Sequence, residues 1–306
     1  MIRPAPLPIV FVAMDIGIAL PTMAREFTRQ TFVDWCHGID AGPFSSVSAG
    51  ERLTFHNPEL MVTSSAAAAL TERVDVMTNI TVLPLHATAL IAKQLATLDV
   101  LSGGRLVVGV GVGGREHDYR AAGVPFEQRH ARLDEAVAEM RRLWAGDPPF
   151  DGADPIGPAP VQHGGPRIMA AALGPKSMRR AAKWADGVTG FSITAAGNEM
   201  AGTNRIALES WHSEGRTDRP RLVNGSFYVL GGTDPAEVLA QFTFEYLGVF
   251  GEAFARAMAD AVDVCTPERL RQAVADAEEA GCDEFILVPG AVDISCLEET
   301  VEALAI

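Results

Sequence analysis

The chain has 306 residues, 48% of them hydrophobic, and a formal net charge of −14. That is enough apolar material for one large core, and it argues against disorder. So acidic a balance speaks against nucleic acid or an anionic membrane as partner, and it requires any phosphate site to be local, built from backbone amides or a placed cation.

Cys36, Cys265, Cys282 and Cys296 are scattered with no Cys-x-x-Cys pair, which reads as reduced residues of a cytoplasmic protein rather than a disulfide frame. Residues 7–13 are apolar, but the run is too short to cross a bilayer and only Arg3 precedes it. The reading adopted is an N-terminal extension over 1–13 and a single domain over 14–306.

Residues 15–21 predict a short buried strand ended by Pro21, a helix follows through Trp35, and 44–48 predict a second strand. Glu51 stands just beyond that strand, at the edge where an α/β barrel places its chemistry. It is either a group that orients a ring or moves a proton, or one half of an ion pair with Arg52. His56 precedes the helix that starts near Asn57-Pro58 and is either a general acid or base or a plain helix-entry residue. Residues 60–70 read as an alanine-rich helix and 74–83 as the third strand. Asn79 is unusual inside that strand, since a buried amide without a partner costs on the order of 1–3 kcal/mol. It must be paired or face a ligand.

The most informative stretch is 93–114, the end of a helix, a Ser-Gly-Gly stop and a strand. In the strand Leu106, Val108, Val110 and Val112 share one face, while Gly109, Gly111 and Gly113 leave the other bare. A bare face either lets backbones pack closely or leaves room for something flat. Residues 133–144 form an amphipathic helix, and 145–166 a proline- and glycine-rich loop that covers the barrel mouth or meets a second subunit. Residues 167–172 are the fifth strand. Gly174, Pro175, Lys176 and Ser177 then open a helix whose free amides suit an anion. Strands at 186–191, 221–230 and 284–289, with helices between, bring the total to eight alternating pairs, the pattern of a (β/α)8 TIM barrel.

The run 93–114, followed by Arg115-Glu116-His117-Asp118-Tyr119-Arg120-Ala121-Ala122-Gly123-Val124-Pro125-Phe126-Glu127-Gln128-Arg129, resembles the signature of the bacterial luciferase-like oxidoreductases. That superfamily includes FMN-dependent monooxygenases and enzymes using coenzyme F-420, on a (β/α)8 barrel. The resemblance implies a bulge with a non-proline cis peptide near Asn79 and Ile80 supporting the ring, and a cofactor phosphate at residues 174–177. The Gly-Pro-Lys form is nearer the coenzyme F-420 branch. It also implies a homodimer.

No His-x-His, His-x-x-x-His or Gly-x-Ser-x-Gly occurs, so a metal-dependent or serine hydrolase has little support. The leading expectation is hydride transfer between coenzyme F-420 and a small organic substrate. The alternative is a reduced-FMN monooxygenase fed by a partner flavin reductase, and the alternative of another class is a flavin-binding protein without turnover. Proton handling is assigned to His56 and Glu51, then to His117 in the loop after the fourth strand. The cofactor site is assigned to Asn79, Ile80, Gly111, Gly113, Gly174, Pro175, Lys176 and Ser177.

Overall fold

A computed structural model describes residues 14–304, so the extension expected over 1–13 lies outside the described residues. Eight parallel strands close on themselves in sequence order: β1 (Asp15–Ala19), β2 (Ser46–Ala49), β3 (Asp75–Val82), β4 (Leu106–Gly111), β5 (Arg167–Ala170), β6 (Gly187–Thr189), β7 (Arg221–Tyr228) and β8 (Glu284–Pro289). The crossovers carry α1 (Arg29–Ala41), α2 (Leu60–Leu70), α3 (Thr88–Leu101), α4 (Glu116–Ala122), α5 (Arg129–Trp144), α6 (Pro175–Ala181) and α7 (Gly197–Ser213). Three helices, α8 (Pro235–Leu247), α9 (Glu252–Ala261) and α10 (Pro267–Glu279), separate β7 from β8, and α11 (Ser295–Leu304) follows. The fold is the expected (β/α)8 barrel.

Alternation along each strand builds the two sides of the wall. Ile18, Val47, Val76, Val108 and Ile168 point outward into the layer shared with the helices. Ala19, Met77, Val107, Met169, Val223 and Ile286 point inward and fill the barrel, as layered side chains do in this architecture. Below them Glu284 closes the N-terminal end. Its carboxylate accepts the hydroxyls of Ser45 at 2.8 Å and Ser46 at 2.5 Å, and Arg221 donates to it at 3.1 Å. A Cβ at Gly17 would lie 2.8 Å from Oε1 of Glu284, so the missing side chain there makes room for the carboxylate.

Two details differ from expectation. The segment after β4 contains a short helix, α4, which places His117 on a helix rather than in a loop. The long loop 145–166 does not cover the mouth. Asp99, fully buried at the end of α3, accepts the amides of Val161 at 2.7 Å and Gln162 at 3.0 Å, and the Gln162 side chain donates to Leu106 O at 2.7 Å. These bonds fasten the loop at the start of β4, the opposite end of the barrel.

Candidate functional site

The C-terminal ends of the strands surround a cavity of about 580 Å³. Its size is within the roughly 300–1,000 Å³ of small-molecule sites. β3 shapes one wall. Its pairing with β4 shifts between Thr78 and Thr81, and the Asn79–Ile80 peptide within that bulge is cis. Asn79 is paired: the Thr189 hydroxyl, at the end of β6, donates to its side-chain oxygen at 3.0 Å. Asn79, Ile80 and Thr189 all line the cavity.

The bare face of β4 receives this bulge. A Cβ at Gly109 would overlap the Thr78 carbonyl oxygen, and one at Gly111 would overlap the Ile80 side chain. Gly111 therefore stands behind Ile80 and does not reach the cavity wall. Gly113 does reach it, with φ +60° and Val82 Cγ1 3.0 Å from where its Cβ would be.

Gly174 and Ser177 line the cavity at the head of α6. The Ser177 hydroxyl donates to Gly174 O at 2.8 Å and accepts from Gly174 N at 3.2 Å, which closes the first turn on itself. Pro175 and Lys176 are exposed and lie outside the lining.

The three groups expected to move protons are elsewhere. Glu51 spans from the exit of β2 to that of β3, accepting the Val82 amide at 2.6 Å and facing His86 Nε2 at 2.8 Å. His56 directs Nε2 to the Met23 carbonyl at 3.0 Å and lies 4.1 Å from the Phe55 ring. His117 lines a separate cavity of about 340 Å³ with Arg115, Arg120 and Phe126.

Other residues occupy the wall. His130, on α5, is at the rim; burial first, then Arg129 and Arg180, hold its pKa below the ordinary histidine value, with Asp134 opposing. Tyr246 and Phe250, beyond β7, close the far side. Arg52, only 7% exposed, stacks 3.3 Å over the Tyr246 ring and donates to the Tyr246 carbonyl at 2.8 Å. Burial chiefly lowers its pKa, with the Arg115 cation adding. The apolar wall continues through Phe191 and Phe227, packed edge to face at 4.6 Å. Ser48 lines the floor, and Met23 lines both this cavity and an outer groove of about 610 Å³ beside α8.

No sequence motif marks Ser48, His130, Thr189 or Tyr246, because each reaches the cavity from a different element, β2, α5, β6 and α8. Strand ends alone carried a signal: Ser48 is the last residue of the expected second strand, and Thr189 lies within the expected sixth, two residues before its expected end.

Among the described residues no three histidine, cysteine or acidic side chains gather as metal ligands, and no helix is long and apolar enough to cross a membrane.

The model of the luciferase-like monooxygenase family matches residues 9–288. The chain is 32% identical over 189 residues to the F-420-dependent glucose-6-phosphate dehydrogenase of Nocardia farcinica, covering 56% of each. It thus spans little more than half the length of the curated relatives it matches. A monooxygenase from Streptomyces bottropensis superposes with TM-score 0.76 at 22% identity, covering 95% of this chain and 98% of that one. An F-420-dependent secondary alcohol dehydrogenase in complex with an F-420–acetone adduct does so with TM-score 0.75 at 19% identity, covering 96% and 99%. The oxygenating constituent of a diketocamphane monooxygenase from Pseudomonas putida, in complex with FMN, gives 0.71 at 16%, covering 95% and 96%.

Proposed function

The chain belongs to the luciferase-like monooxygenase family, and from that premise we propose that it is an oxidoreductase using coenzyme F-420 for hydride transfer to or from a small organic substrate. The observation that carries this reading is the cavity itself: one open space runs from the Asn79–Ile80 bulge to the head of α6. Its dimensions and its mostly apolar lining suit a flat ring with a phosphate at one end. The likeness in sequence to an F-420-dependent dehydrogenase supports the choice of cofactor.

In this reading Ile80, Val112 and Gly113 bear on one face of the ring, and Asn79, steadied by Thr189, offers its amide to the ring edge. The backbone amides of Lys176 and Ser177 hold the phosphate at the head of α6, beside Gly174, and the Lys176 side chain adds a cation from the solvent side. When bound, coenzyme F-420 supplies two-electron hydride chemistry at this site. Phe191, Phe227, Tyr246 and Phe250 exclude water from above it. His130, held neutral at neutral pH, is placed to accept or return a proton at the rim. Glu51 and His56 serve by position, the first tying the β2 and β3 exits together and the second fixing the Met23 backbone.

A second reading, a reduced-FMN monooxygenase supplied by a partner reductase, draws support from the likeness to 4-hydroxyprotoasukamycin monooxygenase of Streptomyces nodosus subsp. asukaensis, 27% identical over 178 residues. Titration of the purified protein with coenzyme F-420 and with FMN separates the two. Tighter coenzyme F-420 binding is expected. Tighter FMN binding with reductase-dependent oxygen use overturns the preferred cofactor, and no binding of either below the millimolar range overturns the redox reading.

A further inference from the structure

Ser48 is 2% exposed, lines the cavity, and its hydroxyl has no hydrogen-bond partner among the described residues. Its place on β2 explains the direction of the side chain. Ser46, two residues earlier, reaches Glu284 inside the barrel, so Ser48 points inward one layer higher, at the floor of the cavity. A buried hydroxyl without a partner is costly unless a ligand completes it.

The remainder of the wall defines what that ligand is. Among the described residues no lysine, arginine, aspartate or glutamate lines the cavity, and its histidine is at the rim. Ala19 pairs with Ser48 across β1 and β2, the Leu20 amide donates to the Ser48 carbonyl at 2.8 Å, and Met23, Phe227 and Val288 line the same cavity. This surface is mainly apolar, with the Thr22 hydroxyl beside these residues and the Ser48 hydroxyl at its base.

We propose that Ser48 is the substrate-positioning residue, and that the substrate is a neutral, mainly apolar alcohol or ketone whose oxygen binds the Ser48 hydroxyl. The inference rests on the reading above in one respect: with the phosphate at the head of α6 and the ring against β3 and β4, the side formed by β1, β2, β7 and β8 is left for substrate. A doubly charged sugar phosphate has no cation on that side to replace its lost hydration. The glucose 6-phosphate named for the Nocardia relative is therefore expected not to bind on that side.

Three probes of one shape test the proposal without any coenzyme: 1-indanone, 1-indanol and indane. Their dissociation constants are measured by saturation-transfer NMR on the full chain and on Ser48→Ala. One hydrogen bond to a buried hydroxyl predicts that the wild type binds the two oxygen-bearing probes roughly fivefold to tenfold more tightly than indane. In Ser48→Ala the ratio falls to about one, while indane binding persists and shows the cavity intact. Ser48→Cys, similar in size but a weak donor, falls between and serves if the alanine variant does not fold. Two results overturn the proposal: an unchanged ratio in Ser48→Ala, or competition by glucose 6-phosphate. Because the probe comparison needs no coenzyme, its failure is distinct from failure of either coenzyme to bind.

Discussion

Thr189 donates its hydroxyl to the Asn79 side-chain oxygen at 3.0 Å, joining the end of β6 to the bulge of β3 across the cavity floor. Thr189→Val keeps the shape and removes the donor. The expected outcome is a loss of about 1 kcal/mol in stability, with coenzyme affinity weakened as Asn79 loses its anchor. Chemical denaturation and coenzyme titration check the two effects, and unchanged affinity would detach Asn79 from the cofactor site.

The contact between Gly111 and Ile80 makes a different prediction from the one an open β4 face suggests. Gly111→Val drives a branched side chain into Ile80 Cδ1, so the fold itself loses about 1–3 kcal/mol. Ile80→Ala in the same chain returns part of that loss, and a double-mutant cycle measures the coupling. Gly109→Ala is harder to relieve, because the obstacle there is the Thr78 backbone carbonyl.

Asp118 on α4 links the helix to the β2–α2 segment by accepting the Thr54 amide at 2.8 Å and the Thr54 hydroxyl. Burial pushes its carboxyl up, but the Thr54 hydrogen bonds and the Arg115 cation outweigh that and hold it below its ordinary value. Its contribution to stability is thus fully present above the unfolded carboxyl pKa of about 4 and is lost as pH falls through the lower folded value. Asp118→Asn should flatten the acid limb of the stability curve below about pH 4, measured by thermal unfolding over a pH series.

Asp99 gives a control at the other end of the barrel. Asp99→Ala leaves the amides of Val161 and Gln162 without their acceptor, at a cost of roughly 1–3 kcal/mol. Limited proteolysis should then cut within 145–166, while coenzyme affinity stays unchanged. A fall in affinity would connect that loop to the mouth.

The barrel is legible in the sequence because strand and helix periods alternate eight times and Gly or Pro marks the turns between them. The head of α6 is legible for the same reason, as Gly174-Pro175 is a local signal. Gly111 shows the limit. Alternation along β4 reveals which face lacks side chains, but Ile80 fills that face from a neighbouring strand, through a bulge that has no local signature. Glu51 and His56 show it again: their partners, Val82, His86 and Met23, lie 33 residues away for His56 and 31 and 35 for Glu51. Residue type announced proton chemistry, and only the folded chain shows the distant hydrogen-bond partners those two side chains have.

Met23 is, among the described residues, the one shared by the main cavity and the groove beside α8. A methionine side chain is unbranched, with three rotatable bonds, so it changes position at little cost while strand positions do not. Truncating Met23 is expected to enlarge the space on this side of the cavity. In a homologous series of ketones, a cut-off in chain length should appear with Met23 and disappear with Met23→Ala.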